Sequence, residues 1–464
     1  MNQPSLSLAN PSPHFVTWQQ KTAAAIGGLG LLLMVISLFN VSHEIYQPAY
    51  FYGALASMAI GVIWYSFELY KNKPAGIKNN GVWFDSLVNR GLWAWILGIV
   101  LTGFYVILYW YPQLLGFSSE GANSGIVHFF DPLSMVLKGQ PASQWFFYGV
   151  LYTFAILFFG IKFLIKYRHS RYHTIRTLSV MFFQLVFAFF LPEILEGLNS
   201  STPYYNKDFK NIWPLHYSFY YEWNLSGMLE GGKLGMFTLV WGILLTFLIT
   251  PVLTYFYGKR WYCSWVCGCG GLAETAGDPF RHLSDKSLKA WRIERYLIYS
   301  VLVFVVVMTG LVLYTFFTGK SQILFLNTYQ IRAWYGFLIG ATFSGVIGVG
   351  FYPLMGNRVW CRFGCPMAAI LGIQQKYFSR FRITSNSGQC ISCGNCSTYC
   401  EMGIDVRWYA QRGQDVVRAS CVGCGICAAV CPRGVLRLEN KKDITGRAKR
   451  LRAEVVTEDV HYAE

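Results

Sequence analysis

Eight stretches of this chain, each about 20 residues long and without a central charge, are long and apolar enough to cross a bilayer core. They lie at about 22 to 40, 49 to 69, 91 to 111, 145 to 165, 177 to 198, 235 to 257, 296 to 317 and 334 to 355. Charge is correspondingly sparse: Asp, Glu, Lys and Arg make up 13% of the 464 residues, against about 25% in soluble globular proteins. The formal net charge of +16 would gather in basic clusters in a nucleic-acid binder. Here it falls in alternate loops, which argues for membrane lipid as the partner and against nucleic acid.

Loops 71 to 90, 162 to 176 and 258 to 295 hold 4, 5 and 7 Lys or Arg, whereas loops 41 to 48, 112 to 144, 199 to 234 and 318 to 333 hold 0, 1, 3 and 2. By the positive-inside rule, 16 against 6 places the first set and both termini in the cytoplasm of a multi-pass protein of the cell (inner) membrane. Met1 to Gln20 carries no basic n-region and no small-residue cleavage site follows the first stretch, which is therefore expected as a retained helix.

All 13 cysteines fall between Cys263 and Cys431, a distribution unlike a disulfide scaffold and fitting metal ligands kept reduced. Cys390-x2-Cys393-x2-Cys396-x3-Cys400 is followed by Cys421-x2-Cys424-x2-Cys427-x3-Cys431-Pro432. In such paired runs three close thiolates take three irons of one cluster, and the distant cysteine ligates the other. One [4Fe-4S] cluster is then expected on Cys390, Cys393, Cys396 and Cys431, and a second on Cys421, Cys424, Cys427 and Cys400. Gly394, Gly423 and Gly425 allow the backbone to turn around each site. Glu401 stands where proline usually follows the fourth cysteine.

The expected fold is mainly α: a polytopic membrane protein of about eight transmembrane helices with a C-terminal cytoplasmic two-cluster, βαβ-like ferredoxin domain. Residues 1–170 form a four-helix membrane module, 171–357 a four-helix redox core, 358–440 the ferredoxin-like domain and 441–464 a charged tail. The redox core contains an internal repeat. Gly258-Lys-Arg-Trp-Tyr-Cys263-Ser-Trp-Val-Cys267 aligns with Gly356-Asn-Arg-Val-Trp-Cys361-Arg-Phe-Gly-Cys365, sharing Gly, Arg and both cysteines. On a helix, cysteines four apart share one face. The four thiols Cys263, Cys267, Cys361 and Cys365 suit either a further metal centre or dithiol–disulfide cycling; the alternative is buried packing cysteines. Cys269 is a fifth thiol.

Two membrane-embedded cysteine pairs on a four-span core, followed by a two-cluster ferredoxin, resemble the membrane polyferredoxin family over about residues 177 to 440. That family includes the NapH-type membrane ferredoxin subunit of periplasmic nitrate reductase and the NosR-type and CcoG-type proteins. Cys361-x3-Cys365-Pro366 matches its motif fully, whereas Gly268 replaces the proline after Cys267. The first four spans have no counterpart in the nitrate-reductase subunit. The resemblance implies electron transfer at the membrane, with quinone or quinol, other respiratory subunits or an extracytoplasmic metalloenzyme as partners. It also allows a maturation factor that reduces a metal or disulfide, or a largely structural subunit of a respiratory complex.

Weaker signals complete the reading. The eight histidines map to loops or termini, which disfavours transmembrane haem. Gly340-Ala341-Thr342-Phe343-Ser344 is explained by small residues packing in a membrane helix, without flavin. Glu193 and Glu196 are candidate proton acceptors near the outer end of the fifth span. The aromatic loop containing Tyr204, Tyr205, Trp213, Tyr217, Tyr220, Tyr221 and Trp223 is expected as an interfacial belt or a docking surface. Arg281 to Arg295 reads as a helix lying on the anionic leaflet. No phosphate loop or dinucleotide fingerprint supports use of ATP or NADH.

Overall fold

The computed structural model describes residues 16–39, 47–71, 90–119, 122–198, 208–323 and 326–440. The charged tail 441–464, Tyr204, Tyr205, His14, His43 and His461 lie outside the described residues. Lipid offers no partner to a backbone amide, so apolar stretches of this length fold as helices that satisfy their own hydrogen bonds. Among the described residues, seven helices are long and apolar enough to cross a membrane: Trp18–Phe39, Gln47–Tyr70, Leu92–Trp110, Gln144–Lys166, Arg171–Leu198, Gly232–Tyr257 and Leu288–Thr318. They correspond to the first seven expected stretches. The eighth is not among them: Thr328–Tyr335 runs into a π-helix at Gly336–Ile347, and the chain then unwinds before the short helix Tyr352–Met355. Gly348 and Gly350 lie where the chain unwinds, and glycine weakens a continuous helix.

The first two long helices pack through glycine. A Cβ on Gly61 would lie 2.4 Å from the Gly27 Cα, so only glycine permits the approach. Leu288–Thr318 is 31 residues long and absorbs the stretch expected on the leaflet surface. Arg281 sits outside it and is buried, not lipid-facing.

The aromatic loop departs from expectation most. Residues 208–221 fold back among the helices: Trp213 Nε1 donates to Thr309 Oγ1 at 2.9 Å, Trp241 Nε1 to the Phe209 carbonyl at 2.9 Å, and the Tyr262 hydroxyl to the Lys210 carbonyl at 3.1 Å. Tyr217 lies 5.1 Å from Tyr335, ring centroid to centroid, and fills the space a Cβ on Gly340 would occupy. The small residues around Gly340 thus serve packing. Of the aromatics in the described part, Trp223 is exposed and Tyr220 and Tyr221 are buried.

The tail domain is bounded by an antiparallel pair. Strand β1 (Gln322–Ile323) and β2 (Leu326–Asn327) form a separate small hairpin, while β3 (Phe381–Ser385) pairs with β4 (Leu436–Asn440) in the register Phe381 to Asn440 through Ser385 to Leu436. Val416 bridges Ile383, closing the domain over Phe381, Ile383, Val416, Val435 and Leu436. That core does not stop at the domain edge: the same cluster takes in Cys263, Cys267, Cys361 and Cys365 from the membrane part.

Candidate iron-sulfur sites and the charges between them

Each tail run makes the same local structure because it has the same spacing. The first turns through Gly394 (φ 79°) into the helix Asn395–Thr398, the second through Gly425 (φ 81°) into Ile426–Ala429. Both φ values lie where a side chain is strained. A small pocket is lined by Cys390, Cys393, Cys396 and, from the other run, Cys431, with Gly394, Arg407 and Arg433. Burial lifts the Cys396 thiol to about 11, opposed by the Ser397 amide and reinforced by Cys431, Cys393 and Cys390. Burial likewise raises Cys427, with Cys424, Cys421 and Cys400 adding to it. Cys431 thus joins Cys390, Cys393 and Cys396 around one pocket, while Cys427 is influenced by Cys424 and Cys421 of its own run and by Cys400 and Cys396 of the other. A buried thiol held high keeps its proton unless a metal cation replaces it.

The donor sets fit iron–sulfur clusters. At the Cys390, Cys393, Cys396 and Cys431 site four soft sulfur donors, with no carboxylate or imidazole lining the pocket, suit ligation by four thiolates. Among the described residues no group of three or more His, Cys, Asp or Glu is arranged to hold a single metal ion. A cluster that takes one thiolate per iron does not need such convergence.

The membrane pairs are not on one helix face, contrary to the spacing argument. Cys263 ends the four-residue helix Arg260–Cys263, and Cys267 is the N-cap of Gly268–Thr275. In the other copy Cys361 lies in the π-turn Trp360–Gly364, and Cys365 is the N-cap of Pro366–Tyr377, its Sγ accepting from the Ala368 amide at 3.4 Å. Both copies widen the turn with an amide that reaches back five residues, Cys267 to the Tyr262 carbonyl at 2.8 Å and Cys365 to the Trp360 carbonyl at 2.9 Å. Gly268 occupies the first-turn position of Pro366, so the missing proline leaves the geometry intact. Burial raises the Cys365 thiol, and Cys361, Cys263 and Cys267 raise it further. A hydrogen bond from Cys269 and the Gly270 amide hold Cys267 below the usual thiol range against its burial. The four cysteines are therefore buried within electrostatic reach of one another, Cys267 and Cys365 each capping a helix N-terminus.

Between these sites runs a chain of alternating buried charges that the sequence reading missed. Arg176 contacts Glu274 at 2.7 Å, Glu274 contacts Arg358 at 2.6 Å, and Arg358 contacts Glu401 at 2.9 Å. Glu401 meets Arg281 at 2.5 Å, Arg281 meets Asp278 at 3.3 Å, and Asp278 meets Lys166 at 2.6 Å. The Arg176 end and the middle of this chain touch cysteine segments. Arg176 donates to the Cys424 carbonyl, Arg358 lies 3.6 Å from the Cys361 Sγ and 3.3 Å from the Cys263 carbonyl, and Glu401 directly follows Cys400. Burial alone would raise the Glu401 carboxyl, but Arg281 and Arg358 outweigh it and hold it well below the usual range. Two signals pointed here: Glu401 in a proline's place, and the Arg shared by the repeat. Arg358 enters the charge chain; its counterpart Arg260 stacks 4.4 Å from the Phe381 ring and donates to Asn440 at 2.9 Å, gripping the tail domain.

Other candidate residues find different places. Glu193 and Glu196 both contact buried Lys138, at 3.3 and 3.6 Å, one ammonium between two carboxylates. His173, expected in a loop, lies in the first turn of the fifth long helix, bonded to Ser170 at 2.7 Å.

Comparison with known proteins adds two family matches, neither covering half of the chain. A 4Fe-4S binding domain model matches residues 239–287 and again 337–384, one match on each membrane cysteine pair. A second 4Fe-4S binding domain model matches residues 415–437 in the tail. The chain is also similar to the protein of Escherichia coli (strain K12) described as "Putative electron transport protein YccM", with 27% identity over 171 residues, 35% of this chain and 46% of that protein. The chain therefore matches less than half the length of that relative. No solved structure matches. The chain thus carries 4Fe-4S binding domains beside seven apolar helices of membrane-spanning length, and these findings support an iron–sulfur electron-transfer role.

Proposed function

We propose that the chain moves electrons between tail clusters, a membrane-surface cysteine centre and quinone, quinol or membrane redox partners. The observation that carries this reading is the single core in which the membrane cysteines and the tail cysteines Cys396, Cys421 and Cys427 are buried together. Cys390, Cys393, Cys396 and Cys431 hold one [4Fe-4S] cluster, and Cys421, Cys424, Cys427 and Cys400 the other. Cys263, Cys267, Cys361 and Cys365 hold a further iron–sulfur centre, supported by their mutual approach and by the repeated 4Fe-4S domain match over both pairs. Such clusters, when bound, accept and release single electrons over a potential range of about −700 to +450 mV set by their surroundings.

The chain's own residues keep the sites dry and fixed. Ser264, next to Cys263, donates to the carbonyl of Val422, next to Cys421, at 2.9 Å, so one hydrogen bond joins the membrane and tail segments. Residues 334–355 cross as an eighth span on this reading, and the 16 to 6 excess of basic residues supports a cytoplasmic face for the ferredoxin domain and both termini. In the test, anaerobically purified protein in lipid nanodiscs receives a quinol analogue. Bleaching of the cluster absorbance supports the reading, and absence of reduction at every quinol potential tried counts against quinol as donor.

A further inference from the structure

The two tail sites differ in access. Of the 13 cysteines Cys393 is the exposed one, whereas Cys421 and Cys427 are buried against the membrane part. Around Cys393 the surface has a consistent character. Ile391 is 56% and Trp408 43% exposed, large apolar side chains left in solvent beside a cluster ligand. Gln411 Nε2 donates to Ser392 Oγ at 2.7 Å, holding the helix Val406–Gln411 against the Cys393 loop. Arg407 and Arg433 line the cysteine pocket, and the Arg412 guanidinium lies 4.0 Å from the Trp408 ring centre. Between residues 387 and 437 the exposed charges are Arg407, Arg412, Arg433 and Arg437, with no exposed Asp or Glu. Of the acids in that range Glu401 is buried, Asp405 accepts from Ser397 at 2.6 Å, and Asp415 is half-buried.

We propose that this face docks a small, acidic, soluble one-electron carrier protein, delivering electrons at the Cys390–Cys393–Cys396–Cys431 site. The proposal rests on the electron-transfer reading and names the partner and its surface. Arginine beside aromatic and aliphatic groups is the composition of an interface centre, and a rim of one sign steers a partner of the other. An inward site cannot be touched by a soluble protein, while the exposed Cys393 can be covered by one. In the transfer the carrier is oxidised by one electron and the four-cysteine site is reduced by one; no bond forms or breaks in the chain and no proton is required.

The experiment uses the full chain in nanodiscs of uncharged lipid, mixed anaerobically with reduced flavodoxin, an acidic one-electron carrier. Photoreduced deazaflavin serves as a reductant that needs no docking. Wild-type reduction by flavodoxin should slow about tenfold between low and high salt. A Trp408→Ala/Arg412→Glu variant, neither residue lining the cysteine pocket, should be reduced about tenfold more slowly by flavodoxin at low salt and at an unchanged rate by deazaflavin. Should the variant lose iron, the salt dependence of the wild type decides alone. A flavodoxin rate independent of salt and equal in the variant overturns the proposal, as does failure of flavodoxin to reduce a wild type that deazaflavin reduces. A wild type with no cluster for deazaflavin to reduce overturns the electron-transfer reading itself.

Discussion

The two cysteine runs of the tail have the same spacing and opposite surroundings. The first faces solvent through Cys393 and a rim of arginine. The second is clamped at its backbone: Tyr172 donates to the Gly423 carbonyl at 2.8 Å, Gln375 to the Cys421 carbonyl at 2.7 Å and Ser264 to the Val422 carbonyl at 2.9 Å. Cys400, which groups with the second run, is followed by the buried carboxylate that neutralises Arg281 and Arg358. Spacing therefore decides which thiols assemble, and the packing of each half decides whether a site faces a soluble partner or the membrane. On the docking proposal one half is an inlet for electrons, and the other is a joint.

The comparison is broken most severely at Glu401. Glu401→Gln leaves two buried guanidinium groups short of a counter-charge and should destabilise the folded protein by about 3–5 kcal/mol. Thermal unfolding followed by loss of cluster absorbance checks it; a change within about 0.5 kcal/mol would mean the charges are not a joint. Acid should act on the same place. Burial alone would raise Asp278, but Lys166 and Arg281 hold it at about 2, below its ordinary 3.8. A depressed carboxyl contributes stability above its unfolded pKa and loses it as pH falls toward the folded one. About 2 kcal/mol should thus disappear between about pH 4 and 2, and an Asp278→Asn variant should lack that acid step. Tyr172→Phe removes the bond to Gly423 and the one accepted from Trp265 Nε1, and should cost about 1–3 kcal/mol, visible as a lower melting temperature. Arg433→Ala on the outer half should change stability by less than about 0.5 kcal/mol, measured in the same melt.

Much of this was legible in the sequence for a physical reason. Hydrophobic length decides whether a segment can leave water, so seven helices followed directly from composition. Cysteine spacing acts within a few residues, so the two turns through Gly394 and Gly425 followed as well. What did not follow depends on contacts between distant segments. Arg176 and Glu274 look like ordinary loop charges until five segments meet. The loop around Trp213 carries the composition of a membrane belt, and only its partners Thr309 and Tyr335 show that it is interior. The membrane cysteines misled because four residues apart suggests one helix face, whereas Cys267 and Cys365 each begin a new helix.

The central claim is that the four membrane cysteines hold iron and extend the two tail sites into one redox core. Iron and acid-labile sulfide per chain, with EPR of the reduced protein, test it on anaerobically purified wild type and a Cys263→Ser/Cys361→Ser double variant. The account predicts more than about eight irons in wild type, falling to about eight in the variant with the two tail signals retained. About eight irons in both, with identical spectra, would contradict it and leave those cysteines as thiols.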